Sequence, residues 1–435
     1  MANPILPLWE TIPDGEPRVF GDRVYLYGSH DRPAGEAFCD YKLKVWSAGV
    51  DNLNDWQCHG VSFRTRPFPA DAPWTDHELY APDVVEKDGK YYLYAYIVGA
   101  KGAVGVADAP TGPFRLLGQY DCAPEDAGDE GIFNDAGVLV DDDGRAYIYY
   151  GFERSCMNEL DPGRMNRILP GSLKRQVMDA GQDVPVERRF YEASSPRKIN
   201  GTYYLVYSPR MGSRLAYATA PSPTGPFTYR GYIIDNGVDY PAGNNHGSLA
   251  CINGQWYVFY HRMTNHSITS RRACVERIAI LPDGTIPPVE MTSLGFEEAL
   301  DPYRPTRAEI ACVLKGGCFI AEKDVFTRVV TDITDGCVIG YKYFDFGPDA
   351  TGEGMTAALK VRGGGVNCRV RILADDEEIG ACDIGTGDGV YRARTRPVTG
   401  RHAVCFVAEH KVPGWMGQFF EGRRLFELEE FVFLK

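Results

Sequence analysis

The chain has 435 residues, with 46 Lys plus Arg against 59 Asp plus Glu and a formal net charge of −13. That length holds two or three domains of ordinary size, or one large β architecture with a smaller module. The acidic balance, without blocks of like charge, excludes a nucleic-acid partner, which needs clustered cations, and no apolar run reaches the ~18 residues of a membrane span. The segment 1–10 lacks the charged and apolar regions of a signal peptide, so a cytoplasmic location is expected. The 12 cysteines, scattered from Cys39 to Cys405 without a Cys-x-x-Cys pair, read as free, mostly buried thiols of a reducing compartment.

Taken in chain order, the 26 tyrosines mark a repeat. Asp22-Arg-Val-Tyr-Leu-Tyr27, Gly89-Lys-Tyr-Tyr-Leu-Tyr94, Gly144-Arg-Ala-Tyr-Ile-Tyr149, Gly201-Thr-Tyr-Tyr-Leu-Val206 and Gly254-Gln-Trp-Tyr-Val-Phe259 are β-rich runs, each entered through a Gly-Asp, Asp-Gly or Asn-Gly turn signal. Each predicts the second strand of a hairpin. Aligning Tyr25, Tyr92, Tyr147, Tyr204 and Tyr257 gives spacings of 67, 55, 57 and 53 residues, the scale of propeller blades with long loops. The prediction is an all-β chain: a five-bladed β-propeller over 1–300, then a β-sandwich accessory domain over 306–435.

Innermost strands of a propeller converge on its axis, so equivalent positions early in those strands meet. Eleven or twelve residues before each aligned tyrosine stand Asp14, Ala81, Asp135, Glu192 and His246. Three acids and a histidine brought together suit acid–base chemistry. Singly, the acids also read as turn or strand-end residues, and His246 as a core histidine.

These residues carry a resemblance to glycoside hydrolase family 43, which includes inverting β-xylosidases and α-L-arabinofuranosidases on a five-bladed propeller. Asn3-Pro-Ile-Leu-Pro7 with Asp14-Gly-Glu-Pro-Arg-Val-Phe-Gly-Asp22 resembles the motif of the general base, which implies that role for Asp14. Phe133-Asn-Asp-Ala-Gly137 resembles the motif of the residue that orients the acid and raises its pKa, on Asp135, with Ala136 where Pro is common. Phe190-Tyr-Glu-Ala-Ser194 is similar to the general-acid motif, on Glu192, with Ala193 where Gly is usual. Tyr80-Ala-Pro-Asp83 matches a second-blade Trp-Ala-Pro motif. Asn244-Asn-His-Gly-Ser248 matches the segment whose His, here His246, faces the axis and can hold a metal or water. Ser270-Arg-Arg-Ala-Cys274 resembles the segment supplying a sugar-binding Arg, implied as Arg271. The resemblance implies no required cofactor, with structural calcium at the axis as an option through His246 and water.

Inverting hydrolysis needs a protonated carboxyl on the leaving oxygen and an ionised carboxylate activating water on the opposite face. Asp135 is expected to stay ionised and raise Glu192 by repulsion, while Asp14 keeps a low pKa. Trp74, Tyr80 and Phe133 are candidates to stack on a sugar face, against ordinary propeller packing. Beyond Asp301-Pro-Tyr-Arg-Pro305, alternating strands and the closing Leu425-Phe-Glu-Leu-Glu-Glu-Phe-Val-Phe433 resemble a family 6 carbohydrate-binding module, a jelly roll. There Trp415 or Tyr391 stacks on sugar, or the domain is purely structural. The expected activity is exo release of a terminal pentose, β-D-xylose or α-L-arabinofuranose, from an oligosaccharide substrate. The alternatives are a non-catalytic carbohydrate-binding propeller and a glycosidase of the same fold acting on another sugar such as galactose. The oligomeric state is left open.

Overall fold

The structure is a computed structural model that describes residues 2–33, 35–99, 102–128, 131–178, 184–348 and 354–435. The five tyrosine segments are the second strands of five antiparallel blades. Blade one comprises Glu16–Phe20, Arg23–Tyr27, Lys42–Gly49 and Asn52–Arg64, and blade two Leu79–Lys87, Lys90–Ile97, Ala103–Ala107 and Arg115–Gly118. Blade three comprises Gly137–Val140, Ala146–Tyr150, Cys156–Leu160 and Lys174–Arg175. Blade four runs Phe190–Ile199, Thr202–Pro209, Arg214–Ala220 and Thr228–Asp235, and blade five Ser248–Ile252, Gln255–Thr264 and Ser267–Ile278.

The hairpins form where the turn chemistry directs. Both residues of Asp88-Gly89, Asn200-Gly201 and Asn253-Gly254 have positive φ, as the tight turn matching strand twist requires. The tyrosines then serve packing. Tyr25, Tyr94, Tyr147, Tyr204 and Tyr257 are buried in the apolar layers between blades, with phenol groups such as that of Tyr94 bonded to backbone carbonyls (Met165 O, 2.8 Å). A buried hydroxyl favours such a partner, as Tyr94 and Tyr204 show with Met165 O and Gly284 O (2.8 Å each).

Blade five lacks a fourth strand of its own, and the N-terminal segment supplies the edge. The Ile5 amide donates to Ala273 O (3.0 Å), and the Asn3 side chain both accepts from Val275 N–H and donates to Val275 O (2.9 Å each). The first residues of the chain therefore close the ring on the last blade.

The second domain is one rolled antiparallel sheet. Its order is Val313–Lys315, Val338–Asp345, Arg401–His410, Cys368–Ala374, Glu377–Ile384, Gly389–Thr395, Met355–Gly363, Phe426–Leu434, Arg328–Ile333, Phe319–Glu322, with Thr306–Arg307 added to Phe426–Leu434. The sheet is thinnest at the single pair Gly380 and Thr395. Its core, with Tyr341 and Phe406 against Phe431, runs without a break into that of blades four and five. The intervening segment is stitched to both sides: Val289 N–H donates to Ile233 O (2.8 Å), and Leu300 N–H to Tyr343 O (2.8 Å). Arg262 of blade five, fully buried, donates to Ala311 O, Glu309 O and Asn3 O (2.9, 2.6 and 3.0 Å). No described helix is long and apolar enough to cross a membrane.

Candidate active site

Four blades enter the axis the same way. Asp14, Ala81, Asp135 and Ala193 all take left-handed φ (55°, 36°, 47° and 68°), a conformation uncommon for residues with a side chain. Further along, Arg18, Val85, Leu139, Arg197 and Ala250 pair with the five aligned tyrosines. By that register Asp14, Ala81, Asp135, Ala193 and His246 are equivalent. Glu192 lies one residue earlier, opposite Ser208, where its strand bulges. Gly137 lets blades three and four approach here: a Cβ on it would clash with Ser194 O.

The strand ends surround one cavity of about 460 Å3, lined by Asp14, Asp135, Glu192, His246, Arg271 and Tyr80, together with Phe38, Tyr96, Val98, Asn134, Phe152, Tyr191 and Asn244. Asp14 is the most elaborately held. Its Oδ1 accepts from Arg271 Nη1 (2.8 Å) and its Oδ2 from the Ser29 hydroxyl (2.6 Å). His246 Nδ1 stands 3.8 Å from Asp14 Oδ1 and 3.9 Å from Asp135 Oδ2.

The electrostatics separate the carboxyls. Burial raises Asp14, but Arg271, His246 and His261 with the Ser29 hydrogen bond outweigh it, and the net shift is downward. Burial, with the charge of Asp14 adding to it, pushes Glu192 up to about 7. Asp135 also rises well above the usual range, through burial and then the charges of Glu192 and Asp14. An ionised Asp135 that stays low is therefore not what the site holds. Asp135 and Glu192 are thus both pushed above the usual carboxylate range.

Of the sequence candidates, Asp14, Asp135, Glu192, His246, Arg271 and Tyr80 meet at the cavity. Phe133 does not line it. It is fully buried in an aromatic stack with Tyr120 (4.1 Å between ring centres) and Tyr150 (4.4 Å), so it packs the blade rather than a sugar. Trp74, 38% exposed, is likewise absent from the lining. Arg271 reaches the site differently from a free sugar-binding arginine. It is 2% exposed, and its Nε and Nη2 fork onto Asp31 (2.9 and 2.8 Å).

Sequence reasoning missed His261, Ser29, Asp31 and Tyr96. His261 Nδ1 accepts the Asp14 amide N–H (3.3 Å), and its Nε2 side faces Asn244 O (3.1 Å). Burial drives its pKa down to about 3, so it is a neutral support. It sits late in a second strand, where no repeat position flags it. Asp31 and Ser29 lie in a loop that breaks the repeat.

Calcium takes six to eight oxygen ligands. Among the described residues no group of three or more His, Cys, Asp or Glu side chains is arranged to hold an ion. The axis carries guanidinium groups instead: Arg18 pairs with Asp83, and Arg197 with Glu16 (2.7 Å). His246 alone does not make a calcium cage, and the chemistry below uses no cation.

Fold and cavity together place three buried carboxyls at the axis of a five-bladed propeller, Asp14 held low and Asp135 and Glu192 raised. Residues 1–286 match the family model described as glycosyl hydrolases family 43, and the chain belongs to that family of glycoside hydrolases. It is 38% identical over 400 residues, 79% of this chain and 82% of the other, to a xylosidase/arabinosidase of Thermoclostridium stercorarium. A family 43 β-xylosidase/α-arabinofuranosidase from a compost microbial metagenome, solved with xylotriose in a calcium-free form, superposes with a TM-score of 0.56. It is 28% identical, with 67% of this chain and 98% of that chain covered. The fold of the whole chain is matched by a family 43 arabinoxylan arabinofuranohydrolase from Bacillus subtilis, solved with cellotetraose. That match has a TM-score of 0.54 and 23% identity, and covers 100% of this chain and 97% of that one.

Proposed function

We propose that the enzyme is an inverting, exo-acting glycoside hydrolase that releases a terminal pentose, β-D-xylose or α-L-arabinofuranose, from oligosaccharides. The observation that carries this reading is the split among converging carboxyls: Asp14 held low by Arg271 and Ser29, Glu192 pushed up to about 7. Glu192 is the general acid that protonates the leaving oxygen. Asp14 is the general base that takes a proton from the attacking water on the opposite face. Asp135, accepting the Ala193 amide beside Glu192, orients the acid. Tyr80 and Tyr96, with ring centres 5.6 Å apart, offer the apolar wall against which a sugar ring packs. The names of the relatives support the pentose.

Cysteines standing as thiols, most of them buried, support a reducing, cytoplasmic compartment and hence short imported substrates. We read the second domain as related to family 6 carbohydrate-binding modules but acting structurally, because its core continues into the propeller. Trp415, 75% exposed, is the residue that would contact sugar if it bound any.

The test is hydrolysis of nitrophenyl β-xyloside and α-L-arabinofuranoside by wild type and Glu192→Ala, with early NMR of the freed sugar. Turnover with anomeric inversion, lost by more than about 100-fold in the variant, is the expected result. A retained anomer would overturn Asp14 as base, and no turnover of either glycoside would favour a lectin-like propeller.

A further inference from the structure

The loop Ser29-His30-Asp31 touches the catalytic centre through both outer members. The Ser29 hydroxyl donates to Asp14 Oδ2 (2.6 Å) while accepting the Ala81 amide N–H (2.7 Å), so blade two polarises a hydrogen-bond chain ending on the carboxylate. Asp31 takes the Arg271 fork at two points, and its Oδ2 also accepts the Arg271 backbone amide (2.9 Å). Only Nη1 of that guanidinium is left for Asp14. Both residues are fully buried, so neither interaction is diluted by water. Between them His30 is pinned by Glu10 at Nε2 (2.8 Å) and Asp40 at Nδ1 (3.1 Å). Glu10 is itself fixed by Lys44 and the Trp46 indole.

We propose that Ser29 and Asp31 are positioning residues for the base of this reaction: Ser29 fixes the Asp14 carboxylate, and Asp31 holds Arg271 so that its charge reaches Asp14 through one nitrogen only. The proposal rests on the reading of Asp14 as general base. A guanidinium that forked onto Asp14 would hold the carboxylate too firmly for it to take a proton from water. Asp31 prevents that by occupying the fork. The groups facing this pair from all packed elements are Cys39, whose thiol burial pushes up and keeps neutral, His246, His261, and the carboxyls of Asp135 and Glu192 across the cavity.

Ser29→Ala and Asp31→Asn act on Asp14 in opposite senses. Removing the hydroxyl withdraws a donor from the carboxylate, so the acidic limb of kcat/KM moves to higher pH. Removing the Asp31 charge frees Arg271 toward Asp14, so the limb moves to lower pH while kcat falls about 10–100-fold. KM for a nitrophenyl pentoside changes little in either. In a double-mutant cycle, Asp31→Asn adds less than about twofold on an Asp14→Ala background, because the residue it serves is gone. Limbs that stay put or move together, or a cycle in which the losses multiply, overturn the proposal. The reading of Asp14 fails separately, if Asp14→Ala alone keeps wild-type kcat. Asp31→Glu, which restores the carboxylate, recovers part of the activity and separates a positioning loss from a folding loss.

Discussion

Arg18 and Asp83, from the innermost strands of neighbouring blades, form a two-point ion pair (Nε–Oδ1 3.0 Å, Nη2–Oδ2 2.6 Å), and Arg18 also donates to Val138 O of the third blade (3.0 Å). With Arg197 bridging Glu16 and Leu249 O (2.7 and 2.8 Å), the five inner strands are tied together on the axis by charged side chains. Chelation by EDTA is therefore expected to leave kcat within about twofold of wild type and the melting temperature unchanged. A loss restored by calcium would show that His246 and water hold an ion after all. Asp83→Asn, which leaves Arg18 partly unpaired in a buried site, is expected to cost about 3–5 kcal/mol in urea unfolding.

Glu192 gives the alkaline limb its position. Glu192 is pushed up to about 7 and Asp135 rises with it, so activity is expected to fall as pH passes through neutrality and the acid loses its proton. Burial and the charge of Asp14 hold Glu192 up, so Asp135→Asn is expected to leave this limb near neutrality while the acid loses its orientation. At pH 7 the variant is expected to lose about 100-fold or more in kcat on a poor leaving group. A limb that moves toward acid in Asp135→Asn would show that Asp135 itself raises Glu192.

The buried His30 predicts a pH-dependent stability. Burial alone would lower its pKa, but hydrogen bonds to Asp40 and Glu10 outweigh this and raise it above 6.5. A folded-state pKa above the unfolded value means the contribution is complete below about 6.5 and is lost as pH rises through the folded value. The melting-temperature gap between wild type and His30→Gln is thus expected to be wide at pH 6 and narrower at pH 9. A gap that is constant with pH would remove the charged histidine from the account.

Phe133 and Trp74 separate packing from recognition. Phe133→Ala empties a stack between Tyr120 and Tyr150 and is expected to cost about 3–5 kcal/mol, with KM unchanged in the fraction that folds. Trp74→Ala is expected to leave both stability and kcat/KM within about twofold, measured by thermal unfolding and steady-state kinetics. A rise in KM for either would return that ring to the sugar site.

The five blades were legible because each hairpin carries its own turn and its own tyrosine, so local chemistry and global repeat agree. The convergence of Asp14, Asp135 and Glu192 on one cavity was legible for the same reason, since a strand start can be counted from a tyrosine. Glu192 shows the limit: the bulge between it and Ser195 moves it one residue off the register, and a bulge leaves no mark in a list of residue types. Asp31 and His261 were hidden because their partners lie far away in sequence. Arg271 meets Asp31 across 240 residues and Asp14 across 257. The direction of Asp135 was misjudged because the sequence shows three acids but not how little water reaches them.

The seam formed by Asn3 and Ile5 against Ala273 and Val275 spans 272 residues of sequence from Asn3 to Val275. The segment around Asn3 and Ile5 must wait, unpaired, until nearly the whole propeller exists. Contacts of such separation slow folding, because chain entropy is spent before they form. Each hairpin can condense locally, but the circle is a late event. Until Asn3 and Ile5 dock, the Ser267–Ile278 strand presents an unpaired edge of the kind that mispairs with another chain.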